Sequence, residues 1–200
     1  MDETYWDGKY RTQDQLWSGN PNGVLLVEAA DLTPGQALDL GCGEGADALW
    51  LAGRGWLVTA VDISRVALAR AAAAGGDAKV SWTHGDLITT PPPAGAFDLV
   101  SALYFPLPHS EPAALRSLLA AVSPGGTLLV VGHDLEDMHH YQHEAPDFDP
   151  ADYYRTDEIA DLLGGSWTVE INETRPRVSP APPGSGHVKD TVLRARRHTT

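Results

Sequence analysis

Three short segments bring acidic and glycine residues together at spacings that suit ligand chemistry: DLGCGEGA from Asp39 to Ala46, VDIS from Val61 to Ser64, and GDL from Gly85 to Leu87. Each follows a short run that reads as a strand, which puts each at the end of a candidate strand. In the first, glycines let a backbone approach a ligand closely, and the amides of the helix that follows favour negative charge such as a carboxylate. Asp39, just ahead of the glycines, suits an ammonium group. Together they suit a zwitterionic amino-acid tail.

Taken alone, the glycine segment fits two cofactors. Gly41, Gly43 and Ala46 also satisfy the G-x-G-x-x-G/A dinucleotide pattern, and Asp62, about twenty residues on, suits both hydroxyls of a ribose in either an adenosyl or a nicotinamide cofactor. Glu44 stands where a pyrophosphate would be repelled, which favours the amino-acid tail. Asp86 is placed to accept from an adenine amino group, and the Leu87 amide to meet a ring nitrogen. One ligand lying across the carboxyl ends of adjacent parallel strands could reach all three segments. Gly45, Cys42 and Ile63 complete this candidate set; Cys42, between two glycines, reads as a small side chain rather than a reactive thiol.

The elements that must position these residues follow from periodicity. Strand patterns at Gln36 to Leu40, Leu57 to Val61, Val80 to Thr83, Phe97 to Ser101 and Thr127 to Val131 alternate with helix patterns at Ala46 to Gly53, Ser64 to Ala74, Glu111 to Ala121 and Thr156 to Leu163. Ser64 is the expected cap of its helix. Alternation of this kind implies parallel strands with right-handed crossovers. Trp167 to Val178 and Asp190 to Arg196 then follow with only SPAPPGSGH between them, so the sheet should close in an antiparallel hairpin. The expected fold class is α/β, a doubly wound, mostly parallel sheet of seven strands on one domain. Residues 1–35 form an N-terminal helical lid segment and 36–200 the α/β core.

Composition narrows the partners. A net charge of -13 over 200 residues argues against nucleic acid and anionic membrane surfaces, both of which need clustered cations. The basic end RARRHTT is too small to change that. The first residues lack the charge and apolar pattern of a leader, and no stretch reaches the length of a membrane span, so a cytoplasmic location is expected. A monomer or homodimer acting on a small molecule is the expected form, with no heptad or apolar seam to declare an interface.

The motifs DLGCGEG, VTAVDIS, HGDL, FDLVSALYF and SPGGTLLV, in this order, resemble those of the class I S-adenosylmethionine-dependent methyltransferases from about Gln36 to Arg196. The resemblance implies that Gly41, Gly43 and Gly45 hold the methionine part, Asp62 the ribose, and Asp86 with Leu87 the adenine. It also implies that Ser101 and Ala102 lie beside the methionine tail, and that S-adenosyl-L-homocysteine is the product. The N-terminal YWDGKYRTQDQLWSGNPN is similar to the tellurite-resistance and thiopurine methyltransferase-like branch. That likeness makes Trp17 a candidate lid, with Tyr5, Trp6 and Tyr10 as candidate substrate walls or, alternatively, as pins of the N-terminal helix.

Methyl transfer needs in-line approach and exclusion of water more than a particular catalytic residue. A soft acceptor such as a thiolate, selenide or telluride needs no base, whereas a hydroxyl or protonated amine usually does. Tyr104, His109, His133 and Asp134, in loops after the fourth and fifth strands, are the candidate bases or orienting groups. His109 alternatively orients the following helix. His139, His140, His143 and Glu144 are metal-capable, but with no HExxH pattern, no supporting cysteine and Pro146 close by, a polar substrate loop is expected and no metal. Two rival functions remain at this level: a nicotinamide-dependent oxidoreductase and a non-catalytic S-adenosylmethionine-binding protein.

Overall fold

The computed structural model describes residues 1–138, 149–179 and 187–199. Its strands are β1 (Gln36–Leu40), β2 (Leu57–Asp62), β3 (Val80–His84), β4 (Phe97–Leu103), β5 (Val122–His133), β6 (Trp167–Pro176) and β7 (Lys189–Arg197). They form one sheet in the order β3-β2-β1-β4-β5-β7-β6. β1 to β5 run parallel, while β7 enters antiparallel between β5 and β6. The terminal hairpin is therefore present, inserted so that its second strand, rather than its first, joins the parallel block.

The helices are α1 (Glu3–Tyr10), α2 (Gly23–Glu28), α3 (Ala46–Gly53), α4 (Arg65–Gly75), α5 (Pro112–Ala121), α6 (Leu135–Met138) and α7 (Thr156–Leu162). Ser64 caps α4 by accepting from the Ala67 amide at 3.1 Å. Pro112 opens α5, where its missing N–H costs nothing. Glu158 closes the first turn of α7 by accepting from the Arg155 amide at 2.9 Å.

Neighbouring residues of the central strands serve opposite faces, as the period of two requires. Val100, Leu128 and Leu193 pack with Leu118 of α5 and Ile159 of α7. Leu99, Leu129 and Val192 pack with Leu25 of α2, Leu51 of α3 and Trp56. Burial on both faces explains why these strands read as unbroken apolar runs.

β5 is longer than its sequence pattern suggests. Pro124 and Gly125 read as strand breakers, yet Val122 already pairs with Phe97, and a register shift between Phe97 and Leu99 absorbs the extra residues. Among the described residues no helix is long and apolar enough to cross a membrane. The segment holding His139, His140, His143 and Glu144 lies outside the described residues, and no group of metal-capable side chains is found within them.

A cleft at the strand ends

Strand order reverses direction between β1 and β4, and a cleft of about 2420 Å³ opens over the carboxyl ends of the strands there. Gly41, Gly43 and Gly45 form one wall with φ of 67°, 53° and 88°. A Cβ on Gly43 would stand 2.8 Å from the Tyr10 hydroxyl, and one on Gly41 2.7 Å from the Phe105 ring. Only glycine combines that backbone with that clearance.

Asp62 organises this wall. Its two carboxylate oxygens accept from the Gly43 amide at 2.8 Å and the Ser64 amide at 2.7 Å. Burial pushes its carboxyl upward, against these amide bonds. Each oxygen keeps a further lone pair for a ligand hydroxyl. Asp86 likewise gives one oxygen to the Ile88 amide at 2.9 Å. Ile63, Asp86 and Leu87 all border the cleft.

Asp39 carries the most informative defect. One oxygen accepts from the Ser101 hydroxyl at 3.1 Å, while Oδ2 is buried with no partner among the described residues. Burial, and next the charge of Asp47, hold its carboxyl well above the usual range. A buried carboxylate oxygen without a donor is the kind of group that a ligand ammonium satisfies. Asp47 is already occupied, accepting from the amide and side chain of Asn22, both at 2.7 Å.

Glu44 borders the cleft, but its oxygens are engaged within the chain. It accepts from the amides of Leu16 and Trp17 at 3.1 and 3.0 Å and pairs with Arg70 at 2.8 Å. Its charge is compensated by Arg70, whereas Asp39 keeps an unpartnered carboxylate oxygen. The Trp17 indole donates to the Tyr10 hydroxyl at 3.0 Å and lies over Gly43. Tyr5, Trp6 and Tyr10 all border the cleft, Tyr10 as a buried side chain. Cys42 borders the cleft with its thiol pushed well up by burial and the nearby Asp39, which leaves it un-ionised at neutral pH.

Ser101 and Ala102 do not line the cleft. Ser101 is fully buried beneath Asp39 and Ala102 packs in the core with α5, so the β4 end meets the cleft from Leu103 onward. Tyr104 is in the left-handed region at φ 54°, its hydroxyl donating to Asp190 at 2.7 Å. Its ring stacks on His133 with centroids 4.5 Å apart, and His133 stacks on His187 at 3.9 Å. Arg177 pairs with Asp190 at 3.2 Å and lies over the Tyr104 ring. His109 contacts the Ala151 carbonyl at 3.0 Å and Glu158 at 3.3 Å, which docks the α7 side against the loop. Asp134 accepts from the Glu136 amide at 2.8 Å and opens α6.

All four candidate bases border the cleft, Tyr104 and His133 in one cluster and His109 and Asp134 each bound into local structure. Phe105, Arg70, Arg177, His187 and Asp190 were not singled out from sequence. His133 pairs with Asp190 in register across β5 and β7, a neighbourhood that no local pattern could disclose.

Burial, and next His187 and Arg177, push the His133 imidazole down to about 3, against Asp137, which favours its protonation. Above its ordinary value of 6.5 both folded and unfolded chains hold His133 neutral. As pH falls from there toward 3, only the unfolded chain takes up the proton, so stability declines with falling pH. The expected contribution is about 2 kcal/mol lost by pH 5, from roughly 1.4 kcal/mol per pH unit. Urea unfolding at pH 7 and pH 5 should show wild type losing about that much more than His133→Asn. Equal losses would contradict the neutral, buried His133.

A glycine wall, a ribose-suited acid and an orphaned carboxylate at successive parallel strand ends, with a terminal β hairpin, define the Rossmann-like methyltransferase class. Residues 37–126 match the methyltransferase domain family. An uncharacterised methyltransferase of Mycobacterium tuberculosis is 40% identical over 124 residues, 59% of this chain and 61% of the relative. A 2-heptyl-1-hydroxyquinolin-4(1H)-one methyltransferase of Mycobacteroides abscessus is 30% identical over 160 residues, 75% of this chain and 66% of the relative. A solved structure described by the conversion of a disulfide bond into a thioacetal group during echinomycin biosynthesis superimposes with a TM-score of 0.77. It is 25% identical, covering 99% of this chain and 92% of that one. The chain belongs to the class I S-adenosylmethionine-dependent methyltransferases.

Proposed function

We propose that this chain methylates a small molecule whose accepting atom is a soft nucleophile, such as a thiolate, selenide or telluride. The observation that carries the cofactor half of this reading is the buried, unpartnered Oδ2 of Asp39 beside three left-handed glycines. Asp39 and the glycine wall would hold the amino-acid tail, Asp62 the ribose, and Asp86 with Leu87 the adenine. Bound S-adenosylmethionine supplies a methyl group activated on a sulfonium. Residues 1–35 would act as cover for the 36–200 core, with Trp17 excluding water from the glycine wall.

The acceptor half rests on Tyr104 and His133, the two candidate bases that meet in one cluster, neither of which is ready to take a proton. His133 holds a proton too weakly to take one from an acceptor, and Tyr104, its hydroxyl pushed up by burial and committed to Asp190, stays protonated. An acceptor that arrives as an anion needs neither. The similarity of the N-terminal segment to the tellurite-resistance and thiopurine branch, and the sulfur chemistry named for the echinomycin protein, support the same class.

Thermal unfolding in the presence of S-adenosylhomocysteine or NAD tests the cofactor assignment. At a hundred times its Kd, S-adenosylhomocysteine should add about 2.7 kcal/mol of stability. NAD should add none. Stabilisation by NAD alone would overturn the assignment in favour of an oxidoreductase.

A further inference from the structure

Arg70 stands on α4, outside the cleft, yet the glycine wall, the end of α1 and the segment after it all meet on its guanidinium. Nη1 donates to Glu44 at 2.8 Å, and Nη2 to the carbonyls of Tyr10 and Gln13, both at 2.8 Å. Glu44 in turn takes the amides of Leu16 and Trp17. The segment between α1 and α2 carries no helix or strand over residues 11–19, so these polar contacts do for it what a ladder does for a strand. At their far end the Trp17 indole, tied to Tyr10, lies over Gly43.

The arrangement is internal enough to matter. The side chains of Glu44 and Arg70 are 11% and 25% exposed, where a charged pair is screened far less than on the open surface. Removing the guanidinium leaves the Glu44 carboxylate partly buried without its counter-charge and frees the carbonyls of Tyr10 and Gln13. The strap then loses its fixed distance from the glycine wall. A planar fork is also what this geometry requires, because a lysine ammonium has no rigid spread of donors to reach two carbonyls and a carboxylate.

We propose that Arg70 is a positioning residue for the cofactor: through Glu44, Tyr10 and Gln13 it keeps the 11–19 strap and the Trp17 ring closed over the glycine wall. It thereby sets how long an S-adenosyl ligand stays bound. The proposal rests on the cofactor assignment above, and adds to it a residue that touches no part of the ligand.

Stopped-flow binding of S-adenosylhomocysteine to the full chain, followed by thermal unfolding of each variant, tests it. Arg70→Ala should release the ligand about tenfold faster with association within about twofold of wild type, because an open strap hinders escape less while leaving the wall itself in place. Glu44→Gln, which keeps an oxygen for the strap amides but loses the ion pair, should release it several-fold faster and guards against misfolding of the first variant. Arg65→Ala removes a cation from the same helix, one paired among the described residues with the exposed end of α1 at Glu3, and should leave release unchanged. Release from both Arg70→Ala and Glu44→Gln within twofold of wild type, whatever happens to Tm, overturns the proposal. Wild type that binds no S-adenosylhomocysteine overturns the cofactor assignment and the latch with it.

Discussion

Asp62→Ala is expected to weaken S-adenosylhomocysteine binding by about a hundredfold or more, the largest effect of any single change in the cleft. Its carboxylate joins the glycine wall to the start of α4, through the Gly43 and Ser64 amides. Hydrogen bonds to a charged acceptor contribute roughly 1.5 to 3 kcal/mol each. Alanine removes both of these, together with the acceptor proposed for the ribose, so binding must both reorder the loop and do without its main polar contact. Folding should suffer less, because alanine also relieves the cost of burying the charge, which already pushes the Asp62 carboxyl upward. Calorimetric titration alongside thermal unfolding separates the two. A Kd within threefold of wild type would mean that the ribose is not at Asp62.

Gly45→Ala is the change expected to cost most stability. Gly45 has φ 88°, and a Cβ there would stand 2.5 Å from Cη2 of Trp82 and 2.9 Å from the Cβ of Ala71. Left-handed backbone costs an ordinary residue about 1 to 2 kcal/mol. Forcing a methyl group into a filled space adds about 1 to 3 kcal/mol, because a large indole buttressed by neighbours cannot step aside freely. The sum is roughly 2 to 5 kcal/mol, which for a chain of this size lowers Tm by about 7 to 14 °C at the middle of the range. Gly53→Ala, on the same helix with open space around it, should leave Tm unchanged or raise it slightly. A Tm for Gly45→Ala within 2 °C of that control would contradict the crowding against Trp82.

The glycine wall itself was legible because its signal is local. A strand at Gln36–Leu40 running through glycines into a helix at Ala46–Gly53 leaves few alternatives, and both elements stand where the pattern puts them. The hairpin was equally legible, from a connection too short and too rich in proline and glycine for a crossover helix. What sequence could not supply is which side chains meet across the sheet. Ser101 and Ala102 sit at the right strand end, but one turns under Asp39 and the other into the core. Asp190 and His133 are brought together by antiparallel register, and Arg70 reaches Glu44 only because α4 crosses beside the strap. An arginine in an alanine-rich helix carries no local mark of such a partner. Glu44 is a similar case: its bonds to the Leu16 and Trp17 amides and to Arg70 come from parts of the chain that its own motif does not contain.

The most direct test of the central claim is transfer of label from methyl-labelled S-adenosylmethionine to a panel of thiols, selenite, tellurite, phenols and amines, run beside Asp62→Ala. Labelled product is expected with the sulfur, selenium or tellurium acceptors, and its near loss in the variant. Tight S-adenosylhomocysteine binding with no transfer to any member of the panel would contradict it, and would make the chain a binding protein that keeps the fold without the chemistry.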